Sequence, residues 1–527
     1  MKKIMIIILS LSVWTLSCSK KLDRLPKNDI TAEQVYSTPA GYFQAAAKVY
    51  GAYALTSNIG PASPPGGGDI KGIDEGFSDF LRLFWGAQEL STDEAVIAWG
   101  DAGIQDFHNM NWSSSNPFLT GLYYRSLYQI TLANDFIKNA ADEVLNAKGF
   151  GAADVADIVS FRNEARFLRA YQYWALLDLF GNPPFVTEKD VIGSNALPKQ
   201  IGKEALFQYI ESELKALETL LPDARANDYG RAGKGAVWAL LARLYLNAEA
   251  YTGTARYSDA VAYAKKVIDA GYSLTGNYQD LMRANNQKHT DEFILTINYD
   301  GTRTQNYGGT TFLTHAAVGG NMPAAQFGID GGWGGTRTTR ALVDLFPDPS
   351  GNTDKRAQFW TSGQSLDIAD QTKFEQGYAI TKFRNIEIGS GKPGTSLTFP
   401  DIDFPIFRLA EQYLIYTEAV LRGGTGGDAT TALGYINALR TRAGAGVITA
   451  GQLTTDFILD ERGRELYWEG FRRTDLIRYK RFTAGSYLWP WKGGTANGKA
   501  VEDWRNVYPI PVADKNANPN LQQNPNY

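Results

Sequence analysis

The chain has 527 residues, a formal net charge of -4 and a single cysteine. A mildly acidic chain lacks the basic surface that nucleic-acid binding requires, so the charge argues against that class of partner. One cysteine excludes an intramolecular disulfide, and stability must therefore come from packing.

The N-terminus is typical of a bacterial export signal. Lys2 and Lys3 give a basic start, residues 4–13 form a short apolar run, and the small residue Ser17 precedes Cys18. The run is short for a membrane-spanning helix. A signal that ends at a cysteine predicts a lipoprotein, in which acyl chains on Cys18 tether a soluble body to a membrane.

Cleavage would remove residues 1–17 and leave residues 18–527, which we predict to form a single domain. Thr15 and Leu16 depart from the usual lipobox, which has leucine three places before the cysteine. The alternative is an ordinary export signal with a chance cysteine at position 18.

Helical periodicity dominates the mature chain. Apolar residues recur at helical spacing over residues 161–180, where the helix is predicted to end at Gly181, and over residues 457–482. Residues 234–271 and 409–439 each have the pattern of two helices joined by a short turn. That pattern predicts tetratricopeptide-like helix pairs.

Long irregular stretches lie between the predicted helices. Residues 60–68 and 301–335 are rich in glycine, and only residues 292–298 have the character of a strand. Aromatic residues such as Tyr307 and Trp333 argue against disorder in the second stretch. The predicted fold is mainly α, with tetratricopeptide-like helix pairs, long irregular aromatic, glycine-rich loops and little strand.

Charged residues alternate near the C-terminus in a pattern that could be mistaken for a catalytic or phosphate-binding cluster. We predict instead an ion-pair network that fixes helix packing. The expected pairs, all on one helix, are Asp460/Arg464, Glu469/Arg473 and Asp475/Arg478.

An enzyme is the less favoured interpretation. Carboxylate pairs suited to glycoside hydrolysis exist, such as Asp93/Glu94 and Asp401/Asp403, but 56 acidic residues produce such pairs by chance. The three histidines are scattered, and neither GxSxG nor HExxH occurs. We therefore predict no enzymatic activity, no cofactor and no metal site. A helical-repeat scaffold that binds only protein would leave the aromatic loops unexplained.

Several segments in order resemble the SusD/RagB family of surface glycan-binding lipoproteins, over nearly the whole mature chain. They are DEGFSDF (74–80), ELSTDEA (89–95), EARFLRAYQYWALLDLFGNPPFV (164–186), RLYLNAEAYTG (243–253), NYGGTTFL (306–313), FPIFRLAEQYL (404–414), ERGRELYWEGFRRTDLIRY (461–479), YLWPWKGG (487–494) and YPIPVADKNANPNLQQNPNY (508–527). The resemblance implies a tetratricopeptide-like helical fold, a lipid anchor in the outer membrane with surface exposure, and a SusC-like TonB-dependent transporter as partner.

The chain most resembles the starch-binding founding member, in which an arc of aromatic rings follows the sugar. Two rings of that arc match Tyr307 and Trp333. The third falls on Ile97, where Trp99 is the candidate replacement and a tryptophan at 97 would be expected to restore the ring. The glycines around Trp333 are expected to leave its indole clear of the loop.

Two polar residues complete the expected glycan site, namely Arg82 as a hydroxyl donor and Asp101 near a polar contact. The resemblance favours starch or another α-1,4-glucan as the ligand, captured for delivery to the transporter. Because Ile97 interrupts the arc, laminarin, xyloglucan and levan stay open, as do a helical-repeat scaffold and a lipid-anchored glycosidase.

Overall fold

The computed structural model describes residues 31–58, 60–61, 68–70, 73, 77–190, 196–288 and 291–527. The predicted signal and Cys18 lie outside these residues, as does most of the glycine-rich stretch at 60–68. The described chain is 46% helix and 6% strand, which confirms the mainly α prediction. None of its helices is both long and apolar enough to cross a membrane.

The helices are α1 (Ala32–Val35), α2 (Pro39–Gly51), α3 (Phe80–Glu89), α4 (Asp106–Asn109), α5 (Pro117–Asn139), α6 (Asp142–Lys148), α7 (Ala152–Phe180), α8 (Lys203–Leu217), α9 (Lys234–Leu246), α10 (Ala248–Thr252), α11 (Tyr257–Ile268), α12 (Gly309–His315), α13 (Arg340–Val343), α14 (Leu409–Leu421), α15 (Ala429–Ala443), α16 (Thr455–Leu466), α17 (Arg472–Arg478) and α18 (Val512–Ala517). Short 3-10 turns occur at Tyr278–Asp280, Asn286–Lys288, Ala324–Phe327, Ala450–Gln452, Lys492–Gly494 and Asp503–Asn506.

The strands form four two-stranded antiparallel ladders: β1 (Val96–Ile97) with β5 (Thr336–Arg337), β2 (Pro184–Phe185) with β3 (Lys199–Gln200), β4 (Phe293–Ile297) with β8 (Phe404–Arg408), and β6 (Phe359–Trp360) with β7 (Ala379–Ile380). The β4–β8 ladder is fully buried and contains register irregularities. The strand predicted at 292–298 is therefore confirmed.

The longest helix, α7, lies at the centre of the fold. From Asn163 to Phe180 nearly every side chain is buried, because α5 packs on one side of the helix and α8 on another. The helix ends at Gly181 (φ +73), as predicted, since that backbone conformation is easily reached only by glycine. A helix covered on several sides is apolar all round rather than amphipathic.

Two helix pairs appear where the periodicity predicts them. α9 packs on α11, and α14 packs on both α11 and α15, so the two pairs form one continuous helical layer. Small residues permit this packing: Ala260 and Ala264 of α11 are fully buried. The C-terminal cap Gly444 (φ +75) ends α15.

The single helix predicted over residues 457–482 is wrong. The chain forms α16, then breaks at Trp468 (φ +64) and Gly470 (φ +86), and resumes as α17. Trp468 is fully buried against Trp85, with ring centroids 5.1 Å apart. Its indole N–H donates to the Glu94 carbonyl at 3.1 Å, and this long-range packing outweighs the local helical preference.

The charged C-terminal residues form a buried ion-pair network, as predicted, but mostly with remote partners. Arg408 on β8 contacts Glu292 at 2.8 Å, Glu465 at 2.7 Å and Glu469 at 2.7 Å. Lys382 also donates to Glu469, at 2.6 Å. All five side chains are almost completely enclosed.

Arginines keep these enclosed carboxylates ionised. Burial by itself would raise the pKa of Glu465, but the guanidiniums of Arg442, Arg408 and Arg356 lower that pKa to about 2. A carboxylate removed from water is tolerated only when such partners compensate its lost hydration. The network is therefore structural, because its charged groups pair with one another.

Of the pairs expected within one helix, Asp475/Arg478 is confirmed at 2.8 Å. Arg464 pairs instead with Glu461, three residues before it, at 2.7 Å. Glu469/Arg473 is wrong, because the helix break redirects Arg473 to Asp178 on α7, at 3.2 Å.

Two glutamates, Glu89 and Glu94, are buried as neighbours in the core. Glu89 Oε1 accepts from the backbone N–H groups of Gly470 (2.6 Å) and Phe471 (3.1 Å). Burial raises the pKa of Glu94 to about 7, and burial together with the neighbouring Glu94 raises the pKa of Glu89 well above its usual range. The pair therefore holds protons that two solvated glutamates would have lost.

This pair should make the fold less stable at alkaline pH. A carboxyl whose pKa is higher in the folded than in the unfolded chain stabilises fully below about pH 4.5, and that stabilisation is lost as pH rises through the folded pKa. Glu89→Gln supplies an amide N–H to Glu94 with no proton to lose. As pH rises above about 5, the free energy of unfolding measured with urea should fall faster for the natural chain than for the variant, by at most about 1.4 kcal/mol per pH unit.

The control for this prediction is Glu143→Gln, at an exposed position in the first turn of α6. Its stability should follow the natural chain at every pH. If the unfolding free energies of Glu89→Gln and the natural chain changed with pH in parallel, the raised pKa of Glu89 would be contradicted.

Candidate glycan-binding site

Three of the predicted aromatic residues form one contiguous cluster. Trp333 lies between the other two: its ring centroid is 6.3 Å from that of Tyr307 and 6.3 Å from that of Trp99. Tyr307 is 42% exposed, while both indoles are half-buried. The interplanar angles of 54° and 42° mean that the rings form a bent surface rather than a flat one. We call Tyr307, Trp333 and Trp99 the aromatic arc.

Backbone hydrogen bonds hold the Trp333 loop against the end of α12. The Trp333 N–H donates to the His315 carbonyl, the Gly335 N–H to the Ala316 carbonyl and the Gly334 N–H to the Val318 carbonyl, each at 2.8 Å. These bonds fix the backbone at Trp333 and at the two residues after it, and thereby position the indole. A platform fixed in this way loses little conformational entropy when a ligand stacks on it.

The neighbouring glycines act differently from the expectation that they would leave the indole clear of the loop. A Cβ on Gly335 would lie 2.6 Å from the Trp99 ring, and a Cβ on Gly332 would collide with the Val318 carbonyl. The glycines therefore let the Trp333 loop pack closely on Trp99 and on the segment that follows α12. This packing supports Trp333 from the interior side.

Trp99, and not position 97, supplies the third ring. Ile97 lies in β1 with no exposed surface, paired with Thr336, and so belongs to the core. Trp99 follows just beyond the strand, and its indole N–H donates to the Trp333 carbonyl at 3.2 Å. A tryptophan at 97 would overpack the core rather than restore the arc, which corrects that expectation.

The structure brings Arg82 to the arc and leaves Asp101 at its margin. Arg82 lies in the first turn of α3, which Asp79 caps by accepting from the Arg82 N–H at 2.8 Å. Its guanidinium lies 5.7 Å from the Trp99 ring and 4.8 Å from Phe312. Asp101 is exposed in the turn after Trp99.

His315 is a site residue that the sequence analysis missed. It is buried beneath Trp333, with stacked rings 4.7 Å apart at 24°. Its Nδ1 contacts the Gly331 carbonyl at 2.6 Å and its Nε2 the Thr398 carbonyl at 3.0 Å. Burial lowers the pKa of His315, while the two carbonyls and Asp330 oppose that shift. A lone histidine in a stretch that the sequence predicts to be irregular carries no signal for this role.

The second loop that His315 contacts also reaches the arc. Phe399 follows Thr398 and packs on Tyr307, with ring centroids 5.6 Å apart. His315 thus connects the loop of Trp333 with the loop that supports Tyr307. Its imidazole is a structural link between the two exposed parts of the arc.

The carboxylate pairs considered for hydrolysis are occupied by structural contacts. Asp93 accepts from Arg472 at 2.6 Å and from the Tyr487 hydroxyl at 2.6 Å. Asp401 accepts from the Gly301 N–H at 2.6 Å and from the Thr395 hydroxyl at 2.7 Å. Both are buried, so neither pair faces a glycosidic bond across an open cleft. The arc itself offers stacking surfaces and a guanidinium, which suits binding.

Comparisons with known proteins place two family models on the chain. The model described as "SusD family" matches residues 349–527, and the model described as "Starch-binding associating with outer membrane" matches residues 88–246. Starch-binding protein SusD of Bacteroides thetaiotaomicron is 36% identical, with 95% of each chain covered. SusD-like protein P25 of Formosa agariphila is 25% identical, covering 76% of this chain and 77% of its own.

Solved structures share the fold at lower identity. Surface glycan-binding protein A from B. thetaiotaomicron superposes with a TM-score of 0.71 at 22% identity, covering 94% of this chain and all of the other. The same protein in complex with laminarihexaose gives a TM-score of 0.69 at 21% identity, covering 92% and 99%. At this identity the likeness establishes the architecture alone.

The role of His315 can be tested by His315→Phe, which keeps a ring under Trp333 but removes the N–H that the imidazole donates to the Gly331 or the Thr398 carbonyl. Each buried polar group that loses its partner costs about 1–3 kcal/mol, so the variant should unfold at lower urea concentration. Its near-ultraviolet circular dichroism should also change, because Trp333 shifts.

His108→Phe is the matched control, since His108 is equally buried but outside the arc. It should leave the contribution of Trp333 to the spectrum intact. If His315→Phe retained both the stability and the spectrum of the natural chain, His315 would not be the link between the two loops.

Proposed function

This chain belongs to the SusD family, whose members are non-catalytic carbohydrate-binding proteins, and we propose that it captures α-1,4-glucan oligosaccharides at the cell surface. It then delivers them to a SusC-like TonB-dependent transporter in the outer membrane. In this proposal the aromatic arc is the capture site, Arg82 and Asp101 bind sugar hydroxyls, and residues 18–527 act as one lipid-anchored domain.

The observation that carries the proposal is the geometry of the arc. Sugar rings have apolar C–H faces, which stack on aromatic rings, while their hydroxyls stay in contact with water and polar groups. Tyr307, Trp333 and Trp99 form a bent aromatic surface, and the Arg82 guanidinium lies beside it. A bent platform suits the natural curvature of an α-1,4-linked glucan better than a straight chain.

The choice of ligand is supported by the relative that aligns over 95% of both chains, a starch-binding protein. The main competing ligand is laminarin, because a structure with the same fold was solved with laminarihexaose. Because a shared fold does not fix the ligand, the higher sequence identity to the starch-binding relative, 36% against 21%, supports starch over laminarin.

The export-signal pattern at residues 1–18 and the family support the proposed location at the membrane. One of the two matched models is described by association with the outer membrane. Acyl chains on Cys18 would hold the domain at that membrane and keep the arc near the transporter. An anchored receptor raises the local ligand concentration for its partner without any new contact.

Trp333→Ala tests the arc directly. Truncating a well-packed aromatic contact costs on the order of 2 kcal/mol, which corresponds to roughly thirtyfold weaker binding. Isothermal titration with maltoheptaose should show this loss of affinity, with the melting temperature nearly unchanged. Trp238→Ala, at a half-buried tryptophan on α9, should bind as the natural chain does.

The same titration distinguishes the ligands. Heat with laminarin, xyloglucan or levan and none with maltoheptaose would refute the α-glucan assignment while leaving glycan capture intact. An unchanged maltoheptaose affinity in Trp333→Ala would refute the arc as the capture site.

The anchor is tested by Cys18→Ala. Because acyl chains on this residue are proposed as the membrane attachment, the variant should leave the membrane fraction and keep the circular dichroism of the natural protein. The experiment should use cells that lack the partner transporter, so that protein contacts cannot hold the variant. Persistence in the membrane fraction would contradict the lipid attachment.

A further inference from the structure

A second exposed tyrosine, Tyr229, does not belong to the arc. Of the large hydrophobic side chains that are exposed in the described part of the chain, two are aromatic: Tyr307 at 42% and Tyr229 at 44%. Tyr229 lies in the loop between α8 and α9. A tyrosine combines an apolar ring with a polar hydroxyl, which suits a contact surface that stays partly in water.

Tyr229 separates two cavities. One has a volume of about 340 Å³ and the other about 200 Å³, and both are lined by Tyr229, Gly230, Leu295 and Thr296. Strand β4 thus forms a floor common to both. The larger cavity reaches the lower end of the size range of small-molecule sites.

More tyrosines line these cavities. Tyr50 and Tyr53 contribute to the larger one and Tyr272 to the smaller one, whereas none of the three rings of the arc lines either. The Tyr50 hydroxyl donates to Glu164 at 2.6 Å and the Tyr53 hydroxyl to the Leu168 carbonyl at 3.3 Å. With their hydroxyls engaged elsewhere, these side chains offer the cavity mainly their carbon rings.

Tyr229 is held rigidly. Its hydroxyl donates to Asp403 Oδ2 at 2.9 Å, and Asp403 Oδ1 accepts from the Tyr299 N–H at 2.7 Å. Gly230 (φ +78) follows it, and a Cβ there would collide with the Asn298 amide. The ring therefore has a fixed orientation between the cavities, so a stacking ligand would pay little ordering entropy.

The polar groups at the rim favour an uncharged ligand. Arg231 is paired with Glu164, its Nε at 3.1 Å from Oε2, and Arg225 lies 3.6 Å from Asp291. Each guanidinium that lines these cavities thus already has a carboxylate partner. An anionic ligand would have to displace one, whereas a neutral polyol can bond to both members of such a pair.

We propose that Tyr229 and its two flanking cavities form a second carbohydrate-binding site, in which sugar units stack on the Tyr229 ring and their hydroxyls bond to Arg225, Asp291 and Asn298. The site goes beyond the proposed function, because it is separate from the arc and does not require the arc to bind. A long glycan could engage both platforms, which strengthens attachment without tighter contact at either one.

The test uses the full chain with the arc removed by Tyr307→Ala and Trp333→Ala, and measures saturation-transfer NMR and titration with maltoheptaose and with laminarihexaose. Residual binding to one of these sugars is expected. Adding Tyr229→Ala should weaken that residual binding by about tenfold or more.

A second variant keeps the test valid if Tyr229→Ala fails to fold. Gly51 lines the larger cavity, and a Cβ added there meets no atom within 4 Å. Gly51→Trp should therefore fill the cavity and reduce the residual binding, while Gly51→Ala should not.

Two outcomes would overturn the proposal: no binding of either sugar once the arc is removed, or residual binding that Gly51→Trp and Tyr229→Ala leave unchanged. Both results are compatible with a functional arc. If the arc were not the capture site, the single variant Trp333→Ala, which keeps Tyr229, would bind maltoheptaose with unaltered affinity.

Discussion

The buried contact between Arg408 and its three glutamates is the constraint on which the rest of the fold depends. Arg408 ends β8, Glu292 precedes β4, and Glu465 and Glu469 lie at the end of α16 and in the break that follows. Segments far apart in sequence must therefore meet at one point. Removing one partner of such a cluster leaves an uncompensated charge in the core, which typically costs 3–5 kcal/mol.

The aromatic arc is built on an extension of this charged core. Arg472 of α17 binds Asp93, three residues before β1, and the Thr339 hydroxyl donates to the Asp93 carbonyl just after β5. The β1–β5 ladder is thereby fixed at both sides, and it places Trp99 against the Trp333 loop. The buried ion pair thus helps to fix where the aromatic rings of the arc lie.

In the two proposed glycan sites, the exposed tyrosines Tyr307 and Tyr229 are ordered by the same physical means. Sugars offer few strong contacts, so a site gains affinity mainly by being ordered before the ligand arrives. Tyr307 rests on Phe399 and Trp333, and Tyr229 is held by Asp403. In each case neighbouring side chains hold the ring and leave part of it exposed, as the proposed stacking of a sugar requires.

The sequence by itself determined the central helix with its end at Gly181 and the helix pairs at 234–271 and 409–439, because apolar periodicity and a glycine cap are local properties. The family resemblance also pointed to Tyr307, Trp333, Trp99 and Arg82 as candidate site residues, which the structure brings together. Only the tertiary structure decided which charges pair, where Trp468 breaks the predicted helix, and that His315 supports the arc. Those outcomes depend on contacts between distant segments, such as Arg473 with Asp178, and no local pattern encodes which partner a buried charge will meet.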